Sequence, residues 1–532
     1  MILGLSKLTA NLAFGRTHWK NQLRVYSLRV KLVANGIREL QAQGREQMAA
    51  NFVSYCLRRV YCLRFFVGYA ASVLVALPIL AFVADSVATE SLANNVNDNA
   101  GNLATTGSTA GTTPEKGSQV NVKEYGAVGD GVTNDTEAFN AALASLAKAG
   151  GGKCLVPKGT YLISATTNPA ITSHVSSNVH LVGEGREVSI LRIAGIPAGN
   201  FLFCSGDNWS VEDLTIDMQD YFLKQAGFVA IVASGTNWRI ANCAIIKIGR
   251  RGINVNGGAN GYIEGNLIAK TAASPLDNSS IISVIDGKGL FPTNIHIIDN
   301  VCVNSAIYFK DGKDSVIARN RVTGSRSGTG IIAGVLSDNI SVINNTCSGG
   351  RGRDETGTYV SGFDIWAPNS VIANNTSYDN DGAGIAIGGN NCIVIGNRCW
   401  NNAGLSGVVG GSGIVAVAHK RLPNAASGSL FIGNSCFDTR PRTAMTQAYG
   451  YNEPREGLKE IKQFKNDYDR NKMGATHYGA FGRPNVLQIH TNDTARLPIS
   501  PEMKNKLKAL ANADDTGMSD STRRILREYL SQ

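Results

Sequence analysis

Charge is scarce in this 532-residue chain: 17% of its residues are Asp, Glu, Lys or Arg, and 14 prolines stand against 59 glycines. That balance speaks against a mainly helical protein and suits short strands buried on both sides and joined by tight turns. With 43% apolar residues the chain has enough to bury, so disorder is excluded as the default state. The 10 cysteines include no Cys-x-x-Cys pair and no His/Cys cluster, which removes a structural zinc site.

The net charge of +10 suggests nucleic acid until its distribution is examined. Residues 1–64 hold eleven basic side chains against Glu39 and Glu46, so +9 of the +10 is N-terminal. The remainder is close to neutral, and the electrostatic case for a DNA-coating protein disappears.

After this basic region (1–64) comes an uncharged run, Phe65 to Val83, preceded by Arg58, Arg59 and Arg64. It is long enough to span a bilayer and has its positive flank on the side that stays cytoplasmic. Residues 65–88 are therefore expected to be a transmembrane or signal segment, with Ser86-Val87-Ala88 as a cleavage site and Met48 as an alternative start that would give an ordinary n-region. Either version places the residues after Ser86 outside the cytoplasm, membrane-anchored through 65–83 or secreted. Residues 89–118, rich in Asn, Gly, Ser and Thr, read as a flexible linker.

A short phrase then repeats: an aliphatic or aromatic residue, two variable residues, and Asn. Its copies end at Asn242, Asn266, Asn300, Asn320, Asn345, Asn375, Asn397 and Asn434. A period of twenty-odd residues with variable insertions is that of β-helix coils. Asn tolerates the left-handed region needed at a corner, and stacked coils let its amides bond from rung to rung. Cys302, Cys347, Cys399 and Cys436 each lie two residues beyond such an Asn and read as a buried packing ladder. A second strand per coil usually begins with Gly. Alternation sends Ile307, Phe309, Phe363, Ile365, Ile385 and Ile387 inward, and Asn254, Tyr308, Lys310, Asp364 and Trp366 outward.

At the start of the coils, VKEYGAVGDGVTNDTEAFNAALASL (Val122–Leu146) followed by GGGKCLVPKGTYLIS (Gly150–Ser164) resembles the opening of the rhamnogalacturonase/epimerase-like pectate lyase superfamily. The resemblance implies an all-β, right-handed parallel β-helix over 119–455, closed by a helix from Thr136 to Ala149 capped by Asp135-Thr136. Residues 456–490 are expected to be a terminal coil, cap or linker, the coil pattern stopping after Tyr451. Residues 491–532 form a small α-helical tail resembling a ribbon-helix-helix domain, with a strand at Ala495–Ile499 and helices starting at Pro501 and near Ser519 or Asp520. Pro498 on that strand removes a ladder donor, and export would separate the tail from the genome. The reading is thus homo-oligomerisation or capping through the tail rather than DNA binding.

The resemblance implies a polysaccharide partner, and the family's polygalacturonase pattern needs an Asp-Asp pair on a repeat strand. None is present; Asp514-Asp515 lies in the tail, and the Asp-Pro-His-Glu motif of mannuronan epimerases is missing as well. What remains is an outward face. Asp364, Lys310 and His419 are the candidate catalytic residues. Trp366, Tyr308, Arg353 and Asp286 are the candidate substrate-binding residues, the aromatics as platforms for sugar rings. No loop carries a dedicated calcium spacing, so no metal ligands are assigned; Ca²⁺ is the cation that Asp side chains here would take. The expected activity is that of a lyase, hydrolase or epimerase on an acidic polysaccharide. The rival readings are a noncatalytic carbohydrate-binding or surface-structural β-helix and a phage-tailspike-like depolymerase module.

Overall fold

A computed structural model describes residues 118–532 apart from 165, 173, 196–198, 221–228, 271–279, 287–290, 326–327, 353–359, 403–411, 418–424, 454–460, 479–486, 490–500, 513–519 and 532. The expected membrane segment, its cleavage site, the alternative start and the linker lie outside the described residues, as does the expected tail strand. Among the described residues no helix is long and apolar enough to cross a membrane.

Short strands stack in parallel from Gln119 to Ile489, giving a sheet of 23 described strands and a second of 12. The larger sheet contains two columns of strands, merged where Ile307–Ala318 and Ile331–Ile343 run through both. Each coil therefore presents three faces, and the chain is a right-handed parallel β-helix. Along the first face Ile253, Ile282, Ile307, Ile331, Phe363, Ile385 and Ile414 fall one above another. All are fully buried, as the period-2 pattern predicts. The glycines that open these strands are needed for close approach: a Cβ on Gly330 would lie 2.7 Å from Gly362 O and 3.0 Å from Cys347 Sγ.

Seven of the eight recurrent asparagines, Asn266 to Asn434, form one continuous column, but not by the expected conformation; in the first copy Cys243, not the exposed Asn242, stands in the ladder position, its N–H donating to Asn266 Oδ1. The left-handed residue is the one before each ladder Asn: Asp299, Arg319, Asn344 and Asn374 have φ of 53–57°. Only in the first copy is the recurrent residue, Asn242, itself left-handed, with φ 53°. The ladder residues are instead buried, 0% exposed at Asn345 and Asn375. Asn345 Nδ2 donates to Ile317 O at 2.8 Å and Asn375 Oδ1 at 3.1 Å, while its own Oδ1 accepts from Asn320 N at 2.9 Å and Asn320 Nδ2 at 3.0 Å. The column runs on from Asn434 to Asn466. Parallel pairing likewise continues beyond Tyr451 through Lys462–Phe464, Gly474–Tyr478 and Leu487–Ile489. The phrase is lost there because Gln463 occupies the inward apolar position, paired with Phe431.

Cys302, Cys347, Cys399 and Cys436 stack inside the third face with Val322 and Ser377 in the same column. The eight described cysteines are unpaired and buried. Burial pushes the Cys302 thiol up to about 12, so this column is packing, not redox chemistry.

Helix α1 (Thr136–Lys148) closes the N-terminal end with Phe139, Ala142, Leu143 and Leu146 buried. Asp135 does not cap it: its carboxylate accepts from Val128 N at 2.7 Å and Gly129 N at 3.2 Å, and Asn134 Oδ1 takes Thr136 N instead. At the other end of the chain, α2 (Pro501–Asn512) and α3 (Asp520–Ser531) lie on the second face. There the outward positions turn apolar, and Val371, Ala373, Ile393, Ile395, Leu430 and Ile432 are buried together with Leu507, Ala511, Leu526 and Tyr529. Lys506 Nζ fastens α2 to Asn339 Oδ1 at 2.9 Å and Asn369 O at 2.8 Å, and Lys465 pairs with Glu528.

Replacing Asn345 by Ala strips the acceptor from two buried Asn320 donors and a donor from Asn375. Chemical unfolding of N345A should show a loss of about 3 kcal/mol; a change below about 0.5 kcal/mol would remove the ladder as a determinant of stability.

Candidate functional site

On the first face the outward column reads Asn254, Ser283, Tyr308, Ile332, Asp364, Ala386 and Val415. Tyr308 and Asp364 thus share a column two rungs apart, about 10 Å at the usual strand spacing. Two positions further along their strands stand Lys310 and Trp366, with Gly334 on the coil between them. A Cβ on Gly334 would lie 2.7 Å from Lys310 O, so the intervening rung offers Ile332 and bare backbone at Gly334 before the exposed Val335 and Leu336 border it. The result is a recess with Tyr308 and Lys310 at one end and Asp364 and Trp366 at the other. Trp366 N donates to Ala333 O at 2.8 Å. Its indole lies across the next rung, where a Cβ on Gly388 would collide with the ring. Tyr308, Asp364 and Trp366 are half-buried and Lys310 is exposed.

Asp286 stands on the coil before Lys310. Its N–H donates to Asp311 Oδ2 at 3.2 Å, and Lys310 Nζ is 3.9 Å from the same oxygen. Asp311, which alternation along the strand places on the inward side with Ile307 and Phe309, is 4% exposed, and its Oδ1 has no hydrogen-bond partner. It underpins Lys310 and Asp286 rather than presenting itself to solvent. Five expected site residues, Asp286, Tyr308, Lys310, Asp364 and Trp366, therefore come together across four coils. His419 and Arg353 lie outside the described residues. Among the described residues no group of three or more His, Cys, Asp and Glu side chains is placed to hold a metal ion.

Other charged residues of the same coils serve structure. Asp438, 0% exposed, accepts from Arg440 Nε at 2.9 Å and Nη2 at 2.8 Å, and from the N–H groups of Arg440, Thr446 and Gln447. It closes the 438–447 loop.

The sequence reading also passed over the third face, where Tyr378, Trp400 and Phe437 stack in one outward column. The signal was present: each aromatic stands three residues after a ladder Asn, at Asn375, Asn397 and Asn434.

With this geometry in view, comparison with known proteins becomes informative. Residues 119–354 match the family model described as Rhamnogalacturonase A/epimerase, pectate lyase-like. The match takes in somewhat less than half of the chain, and over it the chain resembles that family. Among curated relatives, the SPbeta prophage-derived uncharacterized protein YomE of Bacillus subtilis is 28% identical over 242 residues, covering 41% of this chain and 37% of that protein. Mannuronan C5-epimerase AlgE2 of Azotobacter vinelandii is 26% identical over 277 residues, 50% of this chain and 22% of the epimerase. The aligned segments thus span well under half the length of these relatives. Among solved structures, the A-module of Azotobacter vinelandii mannuronan C-5 epimerase AlgE6 superposes with a TM-score of 0.54 at 18% identity, over 69% of this chain and 97% of the module. The Dettilon tailspike protein gives 0.51 at 15%, over 68% of each chain. At such identities the likeness is one of fold.

Burial pushes the Asp438 carboxyl up, but the bonds from Arg440 and the three N–H groups outweigh it and hold it below its ordinary 3.8. A carboxyl depressed in the folded state stabilises fully above its unfolded value and loses that contribution as pH falls through the folded one. Wild-type protein should therefore lose stability below about pH 4, and D438N should be less stable at pH 7 with a flatter acid limb. Thermal unfolding across pH checks this; parallel wild-type and D438N profiles would contradict it.

Proposed function

We propose that this chain is an extracytoplasmic polysaccharide-active β-helix protein that abstracts the proton α to the carboxylate of a uronate, as a lyase or epimerase. The observation that carries the reading is the recess: an exposed cation, a carboxylate and two aromatic side chains around a rung that is bare backbone at Gly334 and bordered by the exposed Val335 and Leu336. Sugar rings stack on Trp366 and Tyr308 through their CH-rich faces. Lys310 pairs with the uronate carboxylate and stabilises the enolate that forms when the proton leaves, and Asp364 takes that proton. His419 is proposed as a second proton-transfer group and Arg353 as a further carboxylate clamp, while Asp286 orders the Lys310 end.

Spacing favours proton abstraction over hydrolysis. Glycoside hydrolysis wants two carboxyl groups about 5–9.5 Å apart. Asp286 and Asp364 are separated by three rungs, about 14 Å, and Asp311, one rung nearer, is buried. The likeness to the family model and relatives named as mannuronan C5-epimerases support an acidic substrate. The basic-flanked apolar run at 65–83 supports a location beyond the membrane.

The full-length protein, incubated with polymannuronate or polygalacturonate in deuterated water, should incorporate deuterium at C5 or release unsaturated ends that absorb in the ultraviolet. D364A and K310A should each lower that rate by about 100-fold or more with unchanged unfolding midpoints. Full activity in both variants rejects this face, and binding without turnover by the wild type assigns a noncatalytic role.

A further inference from the structure

The third face carries a feature that the candidate site does not use. By strand register its outward column runs Thr323, Ser348, Tyr378, Trp400, Phe437. Tyr378 and Trp400 stack with centroids 4.7 Å apart at 2°, and Trp400 and Phe437 at 6.2 Å and 10°. The Arg398 guanidinium sits 5.2 Å from the Trp400 centroid and 5.1 Å from that of Phe437, flanking both rings. At Tyr378 the stack stops. The neighbour of Tyr378 is Ser348, whose side chain is too short to cover a phenol ring, and Tyr378 stays partly exposed.

The adjoining outward column puts Thr346 beside Ser348 and Arg321 beside Thr323. Arg321 is exposed and makes no ion pair among the described residues. An aromatic wall, a hydroxyl floor and an unpaired guanidinium therefore meet within two rungs, about 10 Å. A purely stabilising ladder explains the three stacked rings. It does not explain why they end at a serine with an unpaired cation beyond.

We propose that the open face of Tyr378, with Ser348, Thr323 and Arg321, is a second glycan-binding site, for a pyranose ring that carries a carboxylate. The ring's CH-rich face stacks on Tyr378. Its hydroxyls meet those of Ser348 and Thr323, and its carboxylate takes the two parallel N–H bonds of the Arg321 guanidinium. The site lies on a different sheet from the recess, so it holds a polymer without taking part in turnover. The proposal rests on the reading that the chain meets acidic polysaccharide, but not on the chemistry at Asp364.

The test uses the full-length protein and polymannuronate, with neutral dextran as the comparison, and reads polymer affinity separately from turnover of short oligouronates. Ser348→Tyr continues the stack and covers the open face. It should weaken polymannuronate binding by about tenfold or more, with an unfolding midpoint equal to or above wild type and unchanged turnover of the short substrate. Tyr378→Ser should show the same loss, and Arg321→Ala should weaken binding of the acidic polymer by about tenfold. Wild-type affinity in Ser348→Tyr overturns the site while leaving the recess standing, and dextran bound as tightly as polymannuronate overturns the acidic ligand class. Turnover without polymer binding overturns the site alone; a wild type that neither binds nor turns over overturns both readings.

Discussion

One constraint governs this molecule: successive coils must lie a single strand spacing apart, about 4.8 Å, along the whole stack. The buried amide column enforces it from within. Each ladder Asn gives both Nδ2 hydrogens away and accepts on Oδ1, so a coil out of register would orphan several buried polar groups at once. The corners are tuned to the same end. Asn294, Asn339 and Asn369 at one corner and Asp299, Asn344 and Asn374 at the next all hold φ near 55°, where Asn and Asp are the least penalised of the non-glycine residues.

Because stacking consumes the inward and corner positions, only outward columns are free to carry chemistry, and their order is fixed by register. Residues from distant stretches of sequence become neighbours, as Tyr308 and Asp364 do, at multiples of the rung spacing and at no other distance. Spacing therefore discriminates between reactions that composition cannot separate. A carboxylate three rungs from the half-buried Asp286 is badly placed to work with it in hydrolysis but well placed to act alone as a base. The fold fixes the scaffold and leaves the reaction to these few positions.

Legibility in the sequence divides along the same line. Inward residues, the closing helix and the Asn column could be read because each repeats with the coil. The left-handed corner was assigned one residue late, since an Asn that tolerates positive φ and an Asn that builds a ladder look alike until the hydrogen bonds are seen. A second corner was missed although Asn260, Asn294, Asn339 and Asn369 each stand six residues ahead of a ladder Asn. The last coils were left open between coil, cap and linker because one inward position, Gln463, is polar. The outward aromatics at Tyr378, Trp400 and Phe437 were overlooked because an outward residue has no partner until the neighbouring coil is placed beside it.

The C-terminal helices show most clearly what pattern alone leaves open. Oligomerisation and capping were both open for this tail, because an apolar helix face does not name its partner. In the structure the tail lies on the chain's own second face, where one outward column changes from Arg239, Tyr262 and His296 to Val371, Ile393 and Leu430, and its neighbour from Glu212 and Glu264 to Ala373, Ile395 and Ile432. Leu507, Ala511 and Leu526 are buried there. To build a dimer from those side chains would first require lifting both helices off the coils, exposing two matching apolar surfaces to water. The three faces of the prism thus meet different ends. One is shielded by the chain's own tail, while the recess around Ile332 and the open face of Tyr378 stay turned to solvent, where a polymer can reach them.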